Sequence, residues 1–141
     1  METLKFTKNY KLEDKKIFGI YSSFHHLGII IKNKINTTYE NLFFIYDPIQ
    51  KVEVAFFNLN GLTIEVVCPK TKNSPITKAL EKKTFYHHIC FSVKDIKKSI
   101  EISSKFGVRR ISSIVPAVAF EGRNICWCIG KNYGLIELIE E

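Results

Sequence analysis

Phe24-His25-His26-Leu27-Gly28-Ile29-Ile30-Ile31-Lys32 is followed, 62 residues later, by Tyr86-His87-His88-Ile89-Cys90-Phe91-Ser92-Val93-Lys94. Each stretch is an aromatic residue, two histidines, a mostly apolar run and a lysine. A second pair comes in the same order. Gly61-Leu62-Thr63-Ile64-Glu65-Val66-Val67 matches Gly134-Leu135-Ile136-Glu137-Leu138-Ile139, each a Gly-Leu step leading to an acid inside an apolar strand. The offset is 73 by glycine and 72 by glutamate. Two matched pairs in one order imply two half-domains of one design.

The segments between these anchors agree. In the second half, residues 87–93 read as a strand. Asp95 is placed to cap a helix that carries Ile96, Ile100 and Phe106 and stops at Gly107. Residues 108–113, 124–129 and 134–139 read as three further strands, rich in Ile, Val and Cys. In the first half, 25–31 reads as a strand and 34–42 as a short helix carrying Ile35, Tyr39 and Leu42. Residues 43–46, 52–58 and 62–67 follow as strands, the last two joined through Asn60-Gly61, a hairpin signal. His26 to Glu65 spans 39 residues and His88 to Glu137 spans 49, which implies a clipped helix and strand in the first half. Ser74-Pro75 opens a linker helix over 74–82. The expected fold is therefore α+β, with two pseudo-symmetric βαβββ modules, about 25–68 and 86–141, in a single domain over 25–141. Residues 1–24 have no repeat partner and read as an N-terminal extension, a strand or helix docked on the body.

Composition narrows the class. The chain has 141 residues, 45% hydrophobic and 25% charged, which suits one globular domain and excludes a disordered chain or a disulfide-packed miniprotein. No apolar run approaches the roughly 20 residues of a membrane span. The N-terminal residues lack the apolar stretch of a signal peptide. Cys68, Cys90, Cys126 and Cys128 form no C-x-x-C pair and read as reduced thiols of a cytoplasmic protein. The net charge of +7 comes from dispersed lysines without an aromatic-interleaved basic run, so neither a nucleic-acid nor a membrane partner is expected. A small, phosphate-bearing substrate is compatible with that charge.

The repeated polar residues carry the chemistry. A carboxylate flanked by Ile64, Val66 and Val67 is costly to bury unless paired or coordinating, and Glu137 repeats the anomaly. Two imidazoles and two carboxylates suit a first-row divalent cation. Which histidine of each pair binds depends on strand parity, because His25 and His26 alternate across the sheet, as do His87 and His88.

These stretches resemble the vicinal oxygen chelate superfamily, which includes glyoxalase I, extradiol dioxygenases and methylmalonyl-CoA epimerase. The matching segments are His26-Leu27-Gly28-Ile29, Ile64 to Pro69, Ser74-Pro75-Ile76, His87 to Cys90 with Val93 to Ile96, and Gly134 to Leu138. The resemblance implies a cupped mixed sheet around one metal site, held by His26, Glu65, His88 and Glu137. It implies a divalent ion (cobalt, nickel, zinc, manganese or iron) and homodimerisation. At the second ligand position epimerases often use glutamine and glyoxalases glutamate. The Lys83 to Tyr86 and Pro116 to Arg123 stretches also depart from the epimerase pattern.

The resemblance implies a metal-dependent epimerase or isomerase that removes a proton α to the carbonyl of an acyl-CoA or other thioester. The alternatives are a glyoxalase I-like lyase acting on a hemithioacetal and a non-catalytic small-molecule binding module. Glu137 is the first candidate base, by resemblance to glyoxalases. Glu53 is the second, and its side depends on the Asn60-Gly61 turn. A two-residue turn places Phe56 opposite Glu65 and turns Glu53 away; a three-residue turn places Glu53 on the metal face. The apolar stretch Val115 to Phe120 is a candidate lid. Arg109, Arg110 and Arg123 are candidates to meet carboxylate or phosphate groups, though Glu121, Arg109 and Arg110 read mainly as solvated surface.

Overall fold

Each half of the chain pairs its first strand in parallel with its last, and the two first strands then pair with each other. The computed structural model describes residues 13–141. Its strands are β1 (Ser23–Ile30), β2 (Ile45–Asp47), β3 (Val52–Leu59), β4 (Leu62–Pro69), β5 (Tyr86–Val93), β6 (Val108–Arg110), β7 (Val115–Pro116), β8 (Asn124–Gly130) and β9 (Gly134–Glu140). The helices are α1 (Thr77–Glu81) and α2 (Ile96–Ser104), with a 3₁₀ turn at Val118–Phe120. All nine strands form one sheet in the order β2-β3-β4-β1-β5-β9-β8-β6, with β7 also pairing with β8.

β1 is parallel to β4 and β5 is parallel to β9, while β1 and β5 are antiparallel. The two modules are thus related by a pseudo-twofold axis between β1 and β5. Register repeats with the topology. Gly28 lies opposite Glu65, and Cys90 lies opposite Glu137. Each partner stands two residues after the second histidine of its module, so histidine and glutamate share a sheet face.

β4 and β9 are the most continuously buried strands, covered on both faces, which is why their apolar residues run almost unbroken. Outside, Cys126, Cys128, Ile136 and Leu138 pack with Val93, Ile96, Ile17 and Phe18. Ile29, Ile64 and Val66 form the equivalent outer layer of the first module. Inside, Val52, Val54, Val67 and Ile30 face one wall, and Ala117, Phe120, Ile125 and Ile139 the other. Among the described residues, no helix is long and apolar enough to cross a membrane.

Several elements differ from the sequence reading. Residues 34–42 are successive turns, not a helix, with amides of Thr37, Glu40 and Leu42 each bonded three residues back. Asn33 Oδ1 takes the Ile35 amide and Asn36 has φ 59°, so polar side chains compete with the helical backbone. Tyr39 and Leu42 still cover Ile29, Ile64 and Val66, the packing task expected of the helix. The linker helix shrinks to Thr77–Glu81; Ser74 makes no cap bond, and its Oγ is buried without a partner. The strand expected over 108–113 ends at Arg110. Asp95 caps α2 as expected, accepting from the Lys98 amide at 3.0 Å. Of the N-terminal extension, residues 1–12 lie outside the described residues. Ile17 and Phe18 dock as a turn beneath α2, where Ser99 Oγ donates to the Phe18 carbonyl at 2.9 Å.

Candidate metal centre

Four strands at the middle of the sheet each bring one side chain that could hold a metal ion to the same point: His26 from β1, Glu65 from β4, His88 from β5 and Glu137 from β9. All four are at most 4% exposed. His26 Nε2 lies 3.2 Å from Glu65 Oε2 and 3.3 Å from Glu137 Oε2. His88 Nε2 lies 3.2 Å and 3.1 Å from the same two oxygens. The two Nε2 atoms are 3.2 Å apart.

These spacings also suit a shared cation. Donors about 2.0–2.2 Å from a common ion, at angles between octahedral and tetrahedral, stand roughly 2.8–3.6 Å from one another. The four nitrogen–oxygen separations and the nitrogen–nitrogen separation fall inside that range. In a paired network each nitrogen would favour one oxygen, yet here each is nearly equidistant from both. Glu137 Oε2 is buried and meets no donor at hydrogen-bonding angles. The residues therefore fit a divalent ion with nitrogen and oxygen ligands.

Without an ion, burial drives the His26 pKa down, but the carboxylates of Glu137 and Glu65 outweigh it and hold it up at about 9. His88 moves up by the same balance. Burial pushes Glu65 up, and the two imidazoles more than reverse this, to about 2. The acids and imidazoles form a charge cluster whose protons a divalent ion would displace.

The fit is close around His88. A Cβ built at Gly28 would lie 2.0 Å from His88 Cε1 and 2.5 Å from its Nε2. The missing side chain is the space that the ring occupies. Trp127 meets His88 edge-on at 4.7 Å between centroids. Phe120 stacks on His26 at 5.8 Å, and Phe56 meets it edge-on at 5.7 Å. Phe56 is opposite Glu65 and Trp127 is opposite Glu137, so these two rings are also equivalent by pseudo-symmetry.

The site sits in a cavity of about 470 Å³, lined by Glu65, Glu137, His87, Trp127 and Phe120 among mostly aliphatic side chains. Trp127 Nε1 donates to Gln50 Oε1 at 3.0 Å, tying the second module to the β2–β3 connection of the first. Ala117 and Phe120 of the candidate lid are buried in the cavity wall, while Val118 is exposed. No lysine or arginine is among the described lining residues. Glu121, Arg109, Arg110 and Arg123 are exposed.

Glu53 is a correction. Leu59 pairs with Leu62 across a two-residue turn in which Asn60 and Gly61 have φ 49° and 89°. That register places Glu53 opposite Cys68 on the outer face, where Lys34 and Lys70 lie 3.1 Å and 3.3 Å from its carboxylate. It does not reach the cavity. Histidine parity is a second correction. His25 and His26 do not point apart, and neither do His87 and His88: their Nδ1 atoms approach to 2.8 Å and 2.9 Å. Burial, then the neighbouring imidazole, lowers His25, and lowers His87 to about 4. The aromatic clamps went unread in the sequence; only the hairpin register, which sets Phe56 against Glu65, signalled one of them.

A family model described as the glyoxalase/bleomycin resistance protein/dioxygenase superfamily matches residues 25–127. The uncharacterized protein YqjC of Bacillus subtilis (strain 168) is 31% identical over 126 residues, covering 82% of this chain and 89% of that protein. Hypothetical protein BH1468 from Bacillus halodurans C-125 superposes with a TM-score of 0.67 at 25% identity, covering 86% of this chain and 95% of that one. Methylmalonyl-CoA epimerase from Mycobacterium tuberculosis gives 0.63 at 21%, covering 83% and 86%. A single-residue variant of the Streptomyces coelicolor methylmalonyl-CoA epimerase, in complex with 2-nitronate-propionyl-CoA, gives 0.67 at 24%, covering 84% and 94%. Family model, curved sheet and paired modules agree: the chain belongs to the glyoxalase/bleomycin resistance protein/dioxygenase superfamily, the vicinal oxygen chelate proteins.

Proposed function

We propose that the protein is a metal-dependent epimerase or isomerase that removes a proton α to the carbonyl of an acyl thioester. The observation that carries this reading is the convergence of two imidazoles and two carboxylates at an apolar cavity. His26, Glu65, His88 and Glu137 would hold a divalent ion. When bound, such an ion supplies Lewis-acid polarisation of a carbonyl oxygen.

The chain supplies the remaining parts. Glu137 is buried and lines the cavity. Its carboxylate takes the α-proton as the C–H electron pair moves toward the carbonyl. Proton return to the opposite face of the carbon inverts the centre. The aliphatic walls, Val52, Val54, Val67 and Ile125, exclude water and strengthen the electrostatics at the reacting carbon. Acyl-CoA complexes of the epimerases with this fold support the substrate class. Methylmalonyl-CoA in deuterated buffer tests the reading. Metal-dependent exchange of the α-proton is expected, and its absence with every acyl-CoA tried refutes it.

One observation favours a second reading. Glu65 is a carboxylate, the residue glyoxalases use where epimerases often use glutamine, so two acids face the cavity. A hemithioacetal could then lose its proton to one carboxylate and regain it on the neighbouring carbon. Turnover of the glutathione or bacillithiol adduct of methylglyoxal, without exchange on acyl-CoA, selects this reading.

A further inference from the structure

The histidine that precedes each ligand stands at a β-bulge. Between β1 and β5, Phe24 pairs with Phe91 and His26 with Cys90, leaving His25 unmatched. Gly28 pairs with His88 and Ile29 with Tyr86, leaving His87 unmatched. A bulge re-aims the side chain it carries. In a regular strand His25 and His87 would point away from their neighbours. Here each ring centroid lies 5.1 Å from that of the adjacent ligand, nearly perpendicular to it, with the two Nδ1 atoms in hydrogen-bond contact. The same device occurs twice, at positions related by the pseudo-twofold axis.

A neutral imidazole carries one proton. If Nε2 is to be a ligand, the proton must sit on Nδ1. In both pairs the atom facing that Nδ1 is a second Nδ1, which must then be bare and accept the bond, keeping its own proton on Nε2. Among the described residues, neither His26 nor His88 has another hydrogen-bond partner at Nδ1. The faces of the same rings are held by Phe120 and Trp127. We propose that His25 and His87 are positioning residues: each accepts the Nδ1 proton of the histidine that follows it, and so keeps Nε2 of His26 and of His88 bare toward the ion. This inference rests on the metal-binding reading and accounts for both histidines in the repeated aromatic-His-His pattern.

Zinc-loaded protein, labelled with ¹⁵N at histidine, tests it without any activity assay. Long-range proton–nitrogen correlation should show His26 and His88 protonated at Nδ1 and His25 and His87 protonated at Nε2. Chelator competition should show His25→Leu and His87→Leu weakening zinc binding by about 10–100-fold, the range typical of lost outer-shell partners. His25→Asn and His87→Asn, which place an acceptor oxygen near the former Nδ1, should restore most of that loss. A merely structural role would make both substitutions equally damaging. Protonation of His26 or His88 at Nε2 in the zinc form overturns the proposal, as do leucine variants that bind zinc like the parent. The tautomer measurement on the parent decides the matter if a variant fails to fold. Failure of the parent to bind zinc, cobalt, nickel or manganese overturns the metal reading and this inference together. Tight binding that ignores His25 and His87 overturns this inference alone.

Discussion

Gly28→Ala isolates the geometry of the centre from its chemistry, because it adds one methyl group and removes no ligand. The added carbon would lie 2.0 Å from His88 Cε1, 2.3 Å from Nδ1 and 2.5 Å from Nε2. An ordinary contact begins near 3.4 Å, so the ring must retreat by about 1.4 Å. Metal–ligand distances tolerate about 0.2 Å. The packed Trp127 ring, 4.7 Å away edge-on, and the bond to His87 limit that movement. Overpacking of this kind costs roughly 1–3 kcal/mol in stability. Loss of His88 from the ligand set should weaken metal binding by more than the roughly 10–100-fold typical of an outer-shell change. Chelator competition with zinc or cobalt reads the affinity, and thermal melting with circular dichroism reads the fold. Cys68→Ala, at a buried thiol opposite Glu53 on the outer face, is the control for a core change away from the centre and should alter affinity only a few-fold. A Gly28→Ala protein that binds metal like the parent would refute the cradle.

Glu137→Gln should lower α-proton exchange of the preferred acyl-CoA by about 10²–10⁴-fold, the usual cost of losing a general base; full exchange with metal retained would remove Glu137 from that role. Glu53→Gln should leave metal binding and turnover unchanged and cost no more than about 1 kcal/mol in a melting experiment, because its lysine partners Lys34 and Lys70 are partly exposed. The metal-free protein should lose stability above neutrality. His26 rises from 6.5 to about 9 on folding, so its contribution is complete below pH 6.5 and disappears as pH passes 9. Glu65 falls from 4.5 to about 2, so its contribution is present above pH 4.5 and disappears as pH falls through 2. A metal ion needs both histidines unprotonated, so the melting-temperature gain on adding zinc should widen from about pH 6 to about pH 9. A gain independent of pH would contradict the charge cluster described above.

The repeat was legible in the chain because it is a matter of residue order. Aromatic-His-His and Gly-Leu…Glu recur at nearly equal offsets, and strand alternation then puts each glutamate in an apolar strand. Two modules, most strands and the two glutamates follow from that pattern, while the choice of His26 and His88 within each histidine pair came from the family resemblance. The Asn60-Gly61 turn was readable for the same reason, since both residues accept positive φ. The face of Glu53 turned on whether that turn took two residues or three, and the register with Leu59 opposite Leu62 settled it.

What depended on tertiary structure is what pairing between distant strands imposes. Local alternation sends His25 and His26 to opposite faces. The β1–β5 register, joining strands 62 residues apart, inserts a bulge at each first histidine and brings both rings of each pair together. The segment 34–42 had the apolar spacing of a helix, but Asn33 and Asn36 drew its backbone into turns while Tyr39 and Leu42 kept their places over the sheet. Phe120 reaches His26, and Trp127 reaches Gln50, only because the sheet curls and carries the outer strands over the cavity. Side-chain identity and period are properties of the chain. The side of a strand from which a given ring reaches the centre is decided by hydrogen bonds to a neighbour far away in sequence, and those exist only once the sheet has closed.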